Sequence, residues 1–235
     1  MATYVLVHGA WHGSWCWKRV RKALQAVGHE VFTPTLTGVG ERSHLASPRI
    51  NLETHISDVL NLIRWEELSD VILCGHSYAG CVISGVADRI PERIHALIYL
   101  DAFVLEDGEC LFDHVSKEQV QATHEQVKAT GEGWKVAPIP AEVFRVNDRD
   151  AAWMDAQCTP QSLPCFEQRI KLTGGLARIR NATHVLATGF REGSPFPASH
   201  ERAKAKGWKT HTMACGHDVM LDLPNELTAF LLRFA

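Results

Sequence analysis

The sequence lacks a paired-cysteine motif, although it contains seven cysteines among its 235 residues. An odd number of cysteines without any C-x-x-C pair argues against a disulfide framework and against a zinc site. We therefore expect reduced, buried thiols, because a free cysteine behaves as a small hydrophobic residue. The 13 histidines show no H-E-x-x-H or comparable spacing, and we expect no metal ion.

A strong net charge is also missing, since the formal net charge is -3. The one basic cluster, KRVRK at residues 18–22, alternates with apolar residues at helical spacing and is typical of the solvated face of an amphipathic helix. This argues against a nucleic-acid partner. The start of the chain has no pattern typical of a signal peptide, and no apolar window approaches the length of a membrane span. We therefore expect a cytoplasmic protein without a membrane partner.

Apolar runs alternate with stretches of helical periodicity along most of the chain. Six runs predict strands: TYVLVHG, HEVFTPT, DVILCG, RIHALIYLDAF, THVLATG and WKTHTMACG. The intervening periodicity predicts helices over roughly 15–27, 52–66, 78–90, 198–206 and 221–234. This alternation is typical of an α/β fold with a mainly parallel sheet covered by helices on both faces. The length suits one domain of this kind.

One interval of about eighty residues interrupts this alternation. Residues 104–182 contain no strong strand pattern, and they are rich in aromatic residues and turn breakers. A loop of that length without structure is implausible in a compact domain. We therefore predict a core formed by residues 1–103 and 183–235, with residues 104–182 inserted as a helical cap over the site.

The stretch SDVILCGHSYAG changes from a strand pattern to a helix pattern within three residues. Such a turn leaves little room for a side chain, so Ser77 is predicted to point outward as a nucleophile. The pattern is G-x-S-x-A, and Ala79 is small enough for a close approach of strand and helix. The alternative is that Ser77 simply caps the helix, as serine often does.

A serine nucleophile needs a general base and donors for an oxyanion. His217, in the loop after the last predicted strand, is the candidate base, although a lone histidine there could also be a surface residue. The backbone amides of Ala10 and Tyr78 are the candidate donors, because the first strand ends in His8-Gly9 and the pair HG recurs at residues 12–13. The alternative for that motif is a glycine that merely ends a strand.

The motifs HGAWHGSW, GHSYAG and GHDVMLDLPNEL resemble those of the plant methylesterase and hydroxynitrile lyase group of α/β-hydrolases and its bacterial esterase relatives. The segment CTPQSLPCFEQRIKL is similar as well, so the resemblance spans nearly the whole chain. It implies the α/β-hydrolase fold with a six-stranded core and a small helical cap. It also implies Ser77 as nucleophile, His217 as base, no cofactor and a possible homodimer.

The sequence departs from this group at the acid of the triad. Plant members carry an aspartate after the strand that matches THVLATG, but the loop here offers only Glu192. Asp101, at the end of the strand in LIYLDAF, resembles the acid position of haloalkane dehalogenases. We therefore predict Asp101 as the acid and Glu192 as the alternative. The competing interpretations are a cap-entry residue for Asp101 and a solvated loop charge for Glu192.

Three functions fit this set of residues. Hydrolysis of small carboxylic esters through an acyl-enzyme suits the serine triad directly. A hydroxynitrile lyase is the second possibility, but the lysine and threonine of the resembling lyases are replaced by Asp218 and Gly9. A non-catalytic receptor is the third, because a fold alone does not determine function. Candidate residues of an apolar substrate pocket are Trp11, Phe103, Trp134 and Trp153. The alternative is that these aromatic residues are ordinary core residues, which fits Trp134 and Trp153 equally well.

Overall fold

A computed structural model describes residues 1–190 and 193–235, and its centre is a six-stranded parallel sheet. The strands in chain order are β1 (Thr3–Val7), β2 (Glu30–Phe32), β3 (Val71–His76), β4 (Ile94–Leu100), β5 (Lys135–Val136), β6 (Gln161–Ser162), β7 (Ala182–Ala187) and β8 (Lys209–Met213). The sheet has the order β2-β1-β3-β4-β7-β8, and every pair in it is parallel. This confirms the predicted fold class.

Helices cover the sheet on both faces. They are α1 (Lys18–Ala26), α2 (Leu52–Trp65), α3 (Ala79–Arg89), α4 (Lys117–Ala129), α5 (Asp148–Gln157), α6 (Pro164–Glu167), α7 (Phe196–Ala205), α8 (Val219–Asp222) and α9 (Pro224–Leu231). All six residues of β3 are buried, as expected for a strand covered on both sides. At the edge of the sheet, the first four residues of β8 are exposed.

The last predicted helix is two helices in the structure. The prediction of one helix over 221–234 was wrong because α8 ends at Asp222 and α9 starts at Pro224. Leu223, with φ -130° and ψ 55°, separates them. Proline has no backbone N–H to continue a preceding helix, but it is well suited to the first position of a new one.

Residues 104–181 lie between β4 and β7 and contain helices α4 to α6, whereas Ala182, the last residue of the predicted insert, is the first residue of β7. They also contain the antiparallel pair β5–β6, in which Lys135 lies opposite Ser162. The segment thus leaves the sheet at the carboxyl end of β4, where sites in such sheets form, and the chain re-enters the sheet at the amino end of β7. Among the described residues, no helix combines the length and the hydropathy that a membrane span requires.

Candidate active site

Ser77 occupies a strained turn between β3 and α3. Its φ is +56°, a left-handed conformation that non-glycine residues rarely adopt. The first turn of α3 packs closely against the backbone after β4, because a Cβ added to Gly80 would collide with the carbonyl oxygen of Phe103. No side-chain hydrogen bond caps α3. The structure therefore favours an outward-pointing serine over a simple helix cap.

Asp101 and His217 form a buried hydrogen-bonded pair next to this turn. Asp101 directly follows β4 and has a φ of +42°. Its Oδ2 lies 2.7 Å from Nδ1 of His217, and its Oδ1 accepts a hydrogen bond of 2.9 Å from the amide of Ala187. Asp101 is fully buried and His217 is 1% exposed. Both carboxylate oxygens are thus occupied, which fixes the orientation of the imidazole.

The other faces of His217 are covered by three phenylalanines. The ring centroids of Phe144, Phe190 and Phe196 lie 4.8, 5.4 and 4.7 Å from that of His217, and Phe196 is stacked at 9°. Burial lowers the pKa of His217 to about 4, and burial also raises the pKa of Asp101 above its ordinary value. The lowered pKa of His217 keeps its imidazole uncharged at rest, which is the state that a general base requires.

Ser77 and His217 line the same cavity, which has a volume of about 470 Å³. Within the described part of the chain, no hydrogen bond joins the two side chains. Such contacts often tighten only when a substrate is bound. The remaining lining is mostly apolar, and none of the described residues that line the cavity carries a carboxylate, an ammonium or a guanidinium group.

Ala10 and Tyr78 also line this cavity. We find no acceptor for the backbone amide of either residue among the described residues, and both amides remain candidate oxyanion donors. Gly9 permits the close approach of the two loops, because a Cβ there would lie 2.8 Å from Nδ1 of His76 and 3.0 Å from Cβ of Ser77.

Trp11 is held by the inserted segment through three hydrogen bonds. Its amide donates to Oε1 of Gln161 at 3.0 Å, and its indole N–H donates to the carbonyl oxygen of Val136 at 3.1 Å. Its own carbonyl oxygen accepts from the amide of Thr159 at 2.9 Å. The loop after β1 is thereby tied to β5 and β6, so the segment 104–182 helps to shape the candidate oxyanion site.

Of the four residues predicted to line the substrate pocket, two lie outside the cavity. Trp11 and Phe103 line it, whereas Trp134 and Trp153 do not. Trp153 is 39% exposed and packs edge-on against Trp15, with ring centroids 5.1 Å apart. The ring of Trp134 lies under Nζ of Lys135 at 5.1 Å. The prediction that Trp134 and Trp153 line the substrate pocket is therefore corrected, because neither of them lines this cavity.

The alternative acid, Glu192, lies outside the described residues. Several contacts at the site could not be anticipated from sequence, above all the phenylalanines around His217 and the glutamine that binds Trp11. Gln161 stands in the resembling segment CTPQSLPCFEQRIKL, which was the only available signal for it.

Comparisons with known proteins agree with this architecture. Residues 4–229 match the alpha/beta hydrolase family. The chain is 46% identical over 236 residues to a carbendazim hydrolyzing esterase from Nocardioides sp. (strain SG-4G), covering 97% of each chain. It is 35% identical over 116 residues to putative methylesterase 14, chloroplastic, of Arabidopsis thaliana, covering 49% of this chain and 33% of that protein.

Among solved structures, an extracellular alpha/beta-hydrolase from a Paenibacillus species superposes with a TM-score of 0.85 at 22% identity. The superposition covers 100% of this chain and 99% of the other. At this level of identity, the likeness extends to the fold alone.

Proposed function

Because the chain belongs to the alpha/beta hydrolase family and is an enzyme with esterase activity, we propose that it cleaves small, uncharged carboxylic esters through an acyl-enzyme on Ser77. The observation that carries this proposal is the pair of Asp101 and His217, 2.7 Å apart at the wall of the cavity that Ser77 also lines. This arrangement supports a serine, a base and an orienting acid in one site.

In the proposed mechanism, Nε2 of His217 takes the proton of Ser77 as its Oγ attacks the ester carbonyl carbon. Asp101 keeps the other ring nitrogen protonated and stabilises the positive charge that develops on the imidazole. The amides of Ala10 and Tyr78 bind the oxyanion of the tetrahedral intermediate. His217 then protonates the departing alcohol, and a water molecule activated by the same base hydrolyses the acyl-enzyme.

We further propose that residues 104–182 act as a cap that selects the substrate. Phe112 and Phe166 stack at 13°, with ring centroids 6.0 Å apart, and both line the cavity. Such a wall suits a flat aromatic group. The relative from Nocardioides hydrolyses carbendazim, a methyl carbamate of an aromatic heterocycle. Methyl esters and methyl carbamates of aromatic groups are therefore the proposed substrate class.

A lyase function receives no support from the site. Asp218, which stands where the resembling lyases have a lysine, is fully buried and does not line the cavity. None of the described lining residues offers an ammonium or guanidinium group to stabilise a departing cyanide. No observation favours a receptor role either.

The test is a panel of methyl esters and methyl carbamates that carry aromatic or short aliphatic groups. We expect hydrolysis of the uncharged aromatic members, and we expect Ser77→Ala to lower kcat by about a thousandfold or more. Ester hydrolysis that persists in Ser77→Ala would contradict the proposal.

A further inference from the structure

A second buried acid–histidine pair lies beside His217, and the proposed mechanism does not use it. Oδ1 of Asp218 is 2.9 Å from Nε2 of His12, and the two side chains are 0% and 2% exposed. Asp218 directly follows His217, whereas His12 belongs to the loop after β1 that contains Ala10. The pair therefore connects the loop of the proposed base with the loop of a proposed oxyanion donor.

The contacts of His12 determine its charge. Its Nδ1 lies 2.6 Å from the carbonyl oxygen of Ala10, and its Nε2 faces a carboxylate. The carbonyl oxygen can only accept, so Nδ1 carries a proton. Nε2 lies at ion-pair distance from the carboxylate, although the two atoms are not aligned as a hydrogen bond, and a second proton there makes the ring an imidazolium. The indole of Trp15 stacks on this ring at 5.0 Å and 19°, which favours a cation at that place.

The protonation of the pair is consistent with these contacts. Burial alone would lower the pKa of His12, but the negative charge of Asp218 at 2.9 Å outweighs it and raises that pKa above its ordinary value. Burial would likewise raise the pKa of Asp218, and His12 instead holds it far below its ordinary value. The two groups thus form an ion pair inside the protein.

On one side, the pair is bound to the loop after β1. The peptide between Ala10 and Trp11 is bound at both ends, because its oxygen accepts from His12 and its N–H donates to Gln161 at 3.0 Å. The preceding peptide contains the Ala10 amide, the proposed oxyanion donor. Because the adjacent peptide is held in this way, that amide has little freedom to turn.

On the other side, Asp218 belongs to the loop of His217, and backbone hydrogen bonds hold this loop in place. The carbonyl oxygen of His217 accepts from Nε2 of His76 at 3.0 Å, and the carbonyl oxygen of Asp218 accepts from the amide of Leu221 at 2.8 Å. The titratable groups that face His217 are Asp101, Asp218, His12 and His76. Asp218 raises the pKa of His217 and His12 lowers it, so the two charges offset each other at the base.

We propose that the His12–Asp218 ion pair is a positioning unit for the hydrolytic reaction, which holds the Ala10 amide and His217 in one arrangement. This inference rests on the proposed function. Neither residue touches the substrate in this account, and each acts through a neighbour that does. Loss of one partner leaves the other charge buried and unpaired, whereas replacement of both by uncharged groups does not.

Three single variants separate the contacts of the pair. His12→Gln keeps a donor towards Asp218, His12→Asn keeps a donor towards Ala10, and Asp218→Asn removes only the charge. We expect each to lower kcat for a p-nitrophenyl ester by about tenfold or more while KM changes less than about threefold. Binding of a trifluoromethyl ketone, which forms an oxyanion on Ser77, should weaken by about tenfold or more.

Two further variants are measured in the same assays: the double variant His12→Gln/Asp218→Asn and a control substitution far from the site. The double variant should regain about threefold or more in kcat over His12→Gln, because no unpaired charge remains buried. The control is Arg89→Gln, which breaks the Arg89–Glu53 ion pair, with its partly exposed side chains, and should leave kcat and inhibitor binding unchanged.

The outcomes separate this inference from the proposed function. Activity in Ser77→Ala would refute the proposed function itself. If Ser77→Ala is inactive but the three single variants keep the kcat of the unmodified protein, or the double variant regains nothing over His12→Gln, the positioning role is refuted alone.

NMR of the unmodified, ¹⁵N-labelled protein covers the case in which the variants fail to fold. A doubly protonated His12 ring at pH 8, with an Nδ1 proton signal that shifts when the trifluoromethyl ketone binds, supports the role. A neutral ring or an unshifted signal refutes it.

Discussion

Asp101 Oδ2 and His217 Nδ1 lie 2.7 Å apart, although the two residues are 116 positions apart in the chain. They meet because β4 ends at Leu100 and the loop after β8 crosses the same edge of the parallel sheet. The carboxyl ends of parallel strands converge there, so residues distant in sequence come together at one site.

Replacing Asp101 should remove most of the activity. Asp101→Asn keeps the size of the side chain, but its amide no longer stabilises the imidazolium, and it favours the wrong tautomer of His217. We expect kcat to fall by about a thousandfold or more. Steady-state kinetics on a p-nitrophenyl ester measures this. Glu192→Gln is the matched control, with an expected loss below about tenfold, and the reverse ranking would identify Glu192 as the acid.

Activity should persist in mild acid. A general base works only when it is deprotonated, and burial lowers the pKa of His217 to about 4. The value of kcat/KM should therefore stay level between pH 8 and about 5.5 and fall as the pH drops through about 4. A base with the ordinary histidine pKa of about 6.5 would lose about tenfold by pH 5.5. Short assays, with activity checked after return to pH 7, distinguish the two profiles.

Gly9 should tolerate no side chain. A Cβ at this position would lie 2.8 Å from Nδ1 of His76 and 3.0 Å from Cβ of Ser77, so it would displace the nucleophile or the loop of the oxyanion donor. We expect Gly9→Ala to lower kcat/KM by about a hundredfold, the scale that misplacement of a catalytic group costs. Gly28→Ala is the control, because a Cβ there meets nothing within 4 Å, although its φ of +89° makes some loss of stability expected. Normal activity in Gly9→Ala would show that the loops can separate.

The free energy of unfolding should fall as the pH is lowered, and the fall should begin at a higher pH than the titration of the carboxylates. Burial lowers the pKa of His8 to about 3 and that of His184 to about 4, so both are neutral in the folded protein over most of the acid range. The unfolded chain binds protons at these residues below about pH 6.5, and the free energy of unfolding therefore falls as the pH drops through that value. His12 has a raised pKa, so its contribution is already complete below pH 6.5.

Urea denaturation measures this effect directly. The midpoint at pH 5 should lie below the midpoint at pH 7.5, with an unchanged slope. His184→Asn should reduce the difference between the two midpoints, because one group fewer takes up a proton on unfolding. Equal midpoints at the two pH values would mean that these histidines are already protonated in the folded state.

Much of the fold could be predicted because periodicity is a local property. The run VILCGH and the helical pattern after it predict the turn at Ser77. In the same way, the run LIYLDAF predicts that Asp101 lies at the end of a strand. The break at Leu223 was missed because the apolar spacing continues through it. Pro224 was the only local signal for it.

The surroundings of the site could not be predicted, because they depend on contacts between distant segments. Phe144 comes from the inserted segment, and Phe190 and Phe196 flank the loop after β7, yet all three cover one imidazole. In the same way, His12 and Asp218 are 206 positions apart, and the repeated HG motif gave no indication of their pairing. Trp134 and Trp153 were misassigned because composition does not reveal which way a side chain faces.

The most direct test of the account is detection of the acyl-enzyme on Ser77. Rapid mixing of the protein with a p-nitrophenyl ester of an aromatic acid should release about one equivalent of nitrophenol in a burst, provided that deacylation is the slower step. Acid quenching followed by mass spectrometry should then find the acyl group on the peptide that contains Ser77, and the adduct should be missing from His217→Ala. A nitrophenol burst with no acyl group on the Ser77 peptide, or an adduct on another residue, would contradict the proposed mechanism.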